Sequence, residues 1–170
     1  MPTLFTHIAV PLAWRAATRR QPPAARVVAT GMGLTVLPDA DVIAFVIGIP
    51  YASAFGHRGL THSIAFALFA ALLATMFLRP PRGRRVGTGL FLLVAAVSHP
   101  LLDALTNGGL GVALLWPWSD VRWFAPWRPV AVSPIGAQFF SSRGVTVFVS
   151  EMLWIWLPLA MTALFVRSRR

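Results

Sequence analysis

Apolar runs of about 17 to 25 residues recur along the whole of this 170-residue chain, and that is the length an α-helix needs to cross a hydrocarbon core ~30 Å thick. One run near the start would suit a cleaved leader, but a series does not. Hydrophobic residues make up 56% of the sequence and charged ones only 12%, roughly half the charged fraction of a soluble domain. The solvent for most of the chain is therefore lipid. We expect an all-α polytopic transmembrane bundle forming a single integral membrane domain over residues 1–170, with spans near residues 3–17, 27–50, 61–78, 86–105 and 146–166. The first is short for a crossing and is expected to be tilted or partly re-entrant.

The net charge of +10 comes from fifteen arginines and no lysine. In a soluble protein that balance would raise the question of nucleic acid. Here the arginines sit between apolar runs, so they read as orientation signals and no nucleic-acid partner is expected. They gather at Arg15, Arg19, Arg20 and Arg26, at Arg79, Arg82, Arg84 and Arg85, and at Arg167, Arg169 and Arg170. Five alternating spans put all three groups on one side, the cytoplasmic one by the positive-inside rule. The start of the chain, residues 51–60 and residues 106–145 fall on the other. That last segment carries Trp116, Trp118, Trp123, Phe124 and Trp127 among several prolines, a mixture suited to the headgroup level and read as an outer aromatic-rich interfacial cap. Its Arg122, Arg128 and Arg143 oppose the charge rule and call for another role.

Beside arginine the chain holds four histidines and five acids, His7, His57, His62, His99, Asp39, Asp41, Asp103, Asp120 and Glu151, and all but Asp120 lie in or beside a span. A titratable group in hydrocarbon is costly and by default a functional candidate. With a rise of ~1.5 Å per residue, the eight converge on the outer half of the membrane. His99 and Asp103, four apart, share one helix face, as a chelate or an oriented pair requires; the bland alternative is a bond internal to the bundle. Pro38 beside Asp39 and Asp41 breaks an apolar span and frees backbone carbonyls for a cation, unless it marks a helix end with solvated aspartates. His57 and His62 bracket a helix start, where Gly59 lets the loop fold back and Thr61 or Ser63 caps the helix. His7 alone reads as an interfacial residue. With no cysteine, a metal here would be held by imidazole, carboxylate and water.

There is no G-x-S-x-G elbow, no lysine for a phosphate loop and no H-E-x-x-H signature. For a hydrolase this leaves water activated by a metal.

Thr6-His7, the run from Leu37 through Pro38, Asp39 and Ala40 to Asp41, and His57-Arg58-Gly59-Leu60-Thr61-His62-Ser63 occur in order. Ser98-His99-Pro100-Leu101-Leu102-Asp103 follows, then Thr106-Asn107-Gly108-Gly109, Trp116-Pro117-Trp118-Ser119-Asp120-Val121-Arg122, Pro126-Trp127-Arg128-Pro129 and Ser133-Pro134. Over residues 6–136 this order resembles the bacterial inner-membrane metal-dependent hydrolases, also described as LexA-binding, inner-membrane-associated hydrolases. The resemblance implies a helical protein of the bacterial inner membrane with a divalent-metal centre. It also implies His7, Asp39, Asp41, His57, His62, His99 and Asp103 as candidate metal ligands.

On this reading the chain hydrolyses a lipid or lipid-linked substrate at a site toward the outer face, using one or two divalent ions, Zn²⁺ favoured. Asp41 or Asp103 serves as ligand or general base. Arg58, Arg122 and Arg128, with Asn107, would face a phosphate or headgroup, since guanidinium matches phosphate in a bidentate fork. The alternative is a divalent-metal or proton transporter using the same cluster as a transit site. Against it, the cytoplasmic halves of the spans hold no acid or histidine to relay an ion.

Overall fold

The structure is a computed structural model that describes residues 1–134 and 139–169. Gly136, the limit of the matched stretch, and Arg170 of the last arginine group lie outside the described residues. The chain is helical: α1 (Leu4–His7), α2 (Ala9–Ala17), α3 (Ala25–Val36), α4 (Ile43–Val46), α5 (Ile64–Leu78), α6 (Arg85–Ala104), α7 (Ser142–Glu151) and α8 (Leu157–Ser168). Among the described residues there is no strand, only the isolated bridges Thr106 to Val130 and Val112 to Trp123 in the outer segment.

Local chemistry sets the breaks. Pro38 has no N–H to donate, and the chain tightens there into a 3₁₀ turn, Leu37–Val42, before resuming as α4. Ser63 Oγ accepts from the Phe66 amide at 3.0 Å and caps α5. At the other end of α5, Arg79 turns into the left-handed region (φ 46°) ahead of Pro80 and Pro81. A π-helical turn, Met152–Trp156, joins α7 to α8.

Three continuous helical stretches are long and apolar enough to cross a membrane: Ala25–Val46, Arg82–Ala104 and Ser142–Ser168. The second expected span thus stops at Val46 rather than at residue 50, because residues 47–59 turn back as a loop. The third begins as a 3₁₀ turn, Leu60–His62, so its α-helix is 15 residues long, or ~22 Å. With α1 and α2 it is shorter than a standard crossing.

Burial is inverted relative to a water-soluble protein. Phe69, Leu72 and Phe77 of α5 and Met161, Leu164 and Phe165 of α8 are more than half exposed, while His7, His62, His99, Asp103 and Glu151 are at most 1% exposed. Exposed apolar area on that scale is expected where lipid covers it. Val27, Val28, Ala67, Ala71, Phe91, Leu92 and Ala96 form the main apolar core between α3, α5 and α6. All three arginine groups meet at one end: residues around Arg26 and Arg84 line one cavity, and Arg167 Nη1 donates to the Ala16 carbonyl at 3.5 Å.

Candidate metal centre

At the opposite end, the 3₁₀ turns and α6 bring four side chains together. Asp39 follows Pro38, His62 closes the turn before α5, and His99 and Asp103 share one face of α6. One ligand atom from each lies within 4.8 Å of the others, and all four residues are buried. His62 Nε2 stands 2.9 Å from His99 Nε2, 3.3 Å from Asp103 Oδ2 and 3.8 Å from Asp39 Oδ1. His99 Nε2 is 3.6 Å from Asp39 Oδ1. A tetrahedral ion with bonds of ~2.0–2.1 Å separates its donors by ~3.3 Å, so these spacings fit one ion of that size.

Hydrogen bonding around the cluster points its free atoms inward. His99 Nδ1 meets the Thr35 carbonyl at 2.6 Å and must donate to it, which leaves the lone pair on Nε2. His62 Nδ1 lies 3.1 Å from Asp41 Oδ2, the carboxylate-to-imidazole contact that fixes a ligand's tautomer. Two lone pairs 2.9 Å apart repel unless they share a cation. A proton between them would relieve that repulsion yet leave the carboxylates unanswered, for both oxygens of Asp39 and of Asp103 are buried without a hydrogen-bond partner. Asp39, Asp41 and Asp103 against Arg58 leave two negative charges in this pocket, the charge a divalent ion neutralises.

The remaining candidate residues surround this set. His7 stacks on His99 with ring centroids 4.0 Å apart, and its Nε2 is 3.8 Å from Asp39 and 3.6 Å from Asp103. Asp41 stands behind His62: Oδ1 contacts His57 Nδ1 at 2.5 Å, and Oδ2 accepts from the Arg58 amide and Thr61 Oγ1. Asp41, His57 and His62 form a second possible ion-holding group, with both Asp41 oxygens already engaged. Arg58, 1% exposed, donates to the Gly108 carbonyl and Thr106 Oγ1. Its Nε is 3.0 Å from Asp103 Oδ2 but outside hydrogen-bond alignment.

Arg122 donates to the carbonyls of Tyr51, Ser53 and His57, so it braces the loop that carries His57 and Arg58. Burial pushes its guanidinium pKa down, opposed by Tyr51; burial pushes the Tyr51 phenol up, opposed by the Arg58 charge. Asn107 Oδ1 accepts from the Val132 amide. Arg128 is exposed and lies over the Phe124 ring at 4.6 Å. Asp120 is exposed and apart from the cluster. Glu151 belongs to a different arrangement: it accepts from the Thr3 amide, Thr3 Oγ1 and Thr6 Oγ1, tying the start of the chain to α7. Thr35 and Thr106 are supporting residues to which the sequence reading gives no role, and Thr61, read as a candidate helix cap, donates to Asp41 Oδ2 while Ser63 makes the cap. Of the first two, only Thr35 has a local signal, as its carbonyl lies in the turn that Pro38 disrupts.

A cavity of about 300 Å³ reaches the cluster, with Asp39 on its wall and Leu4, Phe5, Val42, Pro134 and Phe139 among the apolar residues around it.

The model of a family described as the YdjM inner membrane protein matches residues 1–169. Inner membrane protein YbcI of Escherichia coli (strain K12) is 44% identical over 175 residues, spanning 99% of this chain and 100% of that protein. Inner membrane protein YdjM of the same organism is 36% identical over 135 residues, 72% of this chain and 62% of that protein, and YdjM of Shigella flexneri matches to the same extent. No solved structure matches.

Proposed function

We propose that this chain, which belongs to the YdjM inner membrane protein family, is a membrane-embedded metal-dependent hydrolase of a lipid or lipid-linked substrate, with a phosphoester the favoured bond. One observation carries the reading: Asp39 and Asp103 are buried with all four oxygens unpartnered, facing two imidazole Nε2 atoms. Asp39, His62, His99 and Asp103 would hold the ion, and imidazole with carboxylate in the absence of sulfur favours Zn²⁺. When bound, such an ion supplies Lewis acidity and acidifies water toward a pKa of ~7.

The protein's own groups complete the chemistry. Asp41 orients His62 through Nδ1, and Arg58 holds Asp103 against the outer segment. His7, with neither ring nitrogen bonded, is the group free to take a proton from attacking water at Nε2. The apolar cavity beside Asp39 suits an acyl or polyprenyl chain. Arg128, without a hydrogen bond among the described residues, is available to an anionic headgroup. Arg122 and Asn107 serve that end by holding its loops. Transport is the weaker reading, because the apolar core of Phe91, Leu92, Val27 and Val28 fills the bundle between the cluster and the arginine end.

The test is metal analysis of detergent-purified protein beside a hydrolysis screen of ester and phosphoester lipids. We expect about one divalent ion per chain, lowered in both His62→Ala and His99→Ala while each still inserts, and hydrolysis lost to chelator. Undiminished metal in both variants, or metal without chelator-sensitive turnover of any lipid tried, counts against the enzyme.

A further inference from the structure

The arginine end carries a feature that the metal centre does not use. Between α2 and α8 runs an apolar groove of about 340 Å³, walled by Ala13, Ala160, Ala163 and Trp156 and closed at one end by Arg167. It continues into a second, polar hollow of about 460 Å³ that Arg167 shares with Arg15 and Arg19. Leu12, Ala16 and Arg167 border both, so the two form one slot with an oily shaft and a cationic mouth.

Among the described residues no carboxylate pairs with the charge at this mouth. Arg15 donates to the Pro23 carbonyl and Arg167 to that of Ala16, while Arg19 makes no hydrogen bond among the described residues. The acids Asp39, Asp41 and Asp103 lie at the far end with Glu151, and Asp120 is in the outer segment. Three guanidiniums around a hollow, each with free donors, match the oxygens of a phosphate. The shaft beneath them is lined by alanines and leucines on facing helices, an apolar surface suited to an extended hydrocarbon. Basic pockets between spanning helices on the cytoplasmic side are recognition sites for anionic headgroups.

We propose that this slot binds one anionic phospholipid of the cytoplasmic leaflet, its phosphate on Arg15, Arg19 and Arg167 and one acyl chain between α2 and α8. It is a site separate from the metal centre and does not depend on the chain being a hydrolase. The lipid would join α2 and α8 at the end remote from the Glu151 tie.

The full-length protein is reconstituted in phosphatidylcholine vesicles containing brominated phosphatidylglycerol or, in parallel, brominated phosphatidylcholine. Quenching of the Trp156 fluorescence is isolated by subtracting that of Trp156→Phe. Phosphatidylglycerol should be preferred by roughly tenfold. The preference should fall toward unity in the triple variant Arg15→Gln, Arg19→Gln, Arg167→Gln, and Ala160→Phe should abolish the quenching by filling the shaft. A triple Arg82→Gln, Arg84→Gln, Arg85→Gln variant removes equal charge from the same end and should keep the preference. Equal quenching by both lipids, or equal loss in the two triple variants, overturns the proposal in favour of diffuse surface charge. Displacement by inorganic phosphate at millimolar concentration would show that the headgroup alone is bound. Conversion of a dimer to a monomer by Ala160→Phe, with lipid preference intact, would assign the groove to a second copy of the chain.

Discussion

A carboxylate buried with neither oxygen partnered destabilises a fold by several kcal/mol unless a cation faces it. Asp39 is in that state, and so is Asp103, whose neighbours His62 Nε2, His7 Nε2 and the misaligned Nε of Arg58 make no hydrogen bond to it. Arg58 itself adopts φ 63°, a conformation that glycine takes more readily. Its guanidinium is held by two hydrogen bonds, to the Gly108 carbonyl and Thr106 Oγ1, and by the charge of Asp103: a lysine there would keep the charge and lose the fork. The same reasoning gives Asp39→Asn an unusual signature. In chelator the neutral amide removes a repulsive charge, so the variant should melt above the wild type, by about 1–3 kcal/mol in stability. With Zn²⁺ at a hundredfold over its dissociation constant the wild type gains ~2.7 kcal/mol, the variant gains little, and the order reverses. Thermal unfolding in detergent with and without metal measures both arms. An Asp39→Asn variant less stable than wild type in chelator would mean that the carboxylate bonds to protein, and that no ion is needed to explain it.

At the scale of elements, the loop between α4 and α5 delivers three of the polar side chains, and its path depends on glycine. A Cβ on Gly59 would sit 2.2 Å from the Ala54 carbonyl oxygen, and one on Gly56 2.2 Å from that of Pro50; neither backbone oxygen can move without opening the turn. Gly59→Ala should therefore displace His57 and His62 together, and lose most of the bound metal while helical content by circular dichroism stays near wild type. Retained metal would show the loop to be more pliant than its packing indicates. This loop was legible in the sequence as a site, because two imidazoles and a guanidinium at a helix start are costly in lipid. The different positions of Asp39 and Asp41 were not. In the 3₁₀ turn each residue advances ~120° instead of ~100°, and the neighbouring elements decide what each carboxylate then meets: Asp39 faces the donor set, Asp41 the far side of His62. The outer segment was read as an aromatic cap offering Arg122, Arg128 and Asn107 to a headgroup, without its path. Its path is fixed by non-local bonds such as Ala125 to Ala104, Ile64 to Leu114 and Asn107 to Val130, which leave no periodic trace in a sequence.

At the scale of the molecule, three long helices alone would carry the chain across the bundle three times and leave the arginines around position 26 and position 84 at opposite ends. They line a common cavity instead, so α5, though 15 residues long, returns the chain to the end it left. Likewise Thr3 meets Glu151 at one end, while Arg167 reaches Ala16 at the other, so α1 and α2 traverse the bundle as a pair. Five passes result, two of them through helices of ~21 to 22 Å, which fit a locally thinned or tilted crossing. With ten described arginines at one end and the buried carboxylates at the other, the positive-inside rule predicts a cytoplasmic arginine end and a metal centre toward the outer leaflet. Reporter fusions after Arg85 should read as cytoplasmic and fusions near Asn107 as external. In proteoliposomes of known orientation, hydrolysis should then follow lipid supplied on the face bearing Asn107 and be indifferent to lipid confined to the arginine face. External reporters at Arg85 would invert the whole assignment. Cytoplasmic reporters there, combined with turnover of lipid only from the arginine face, would leave the topology standing and require the substrate to reach Asp39 through the bundle, past Phe91 and Leu92.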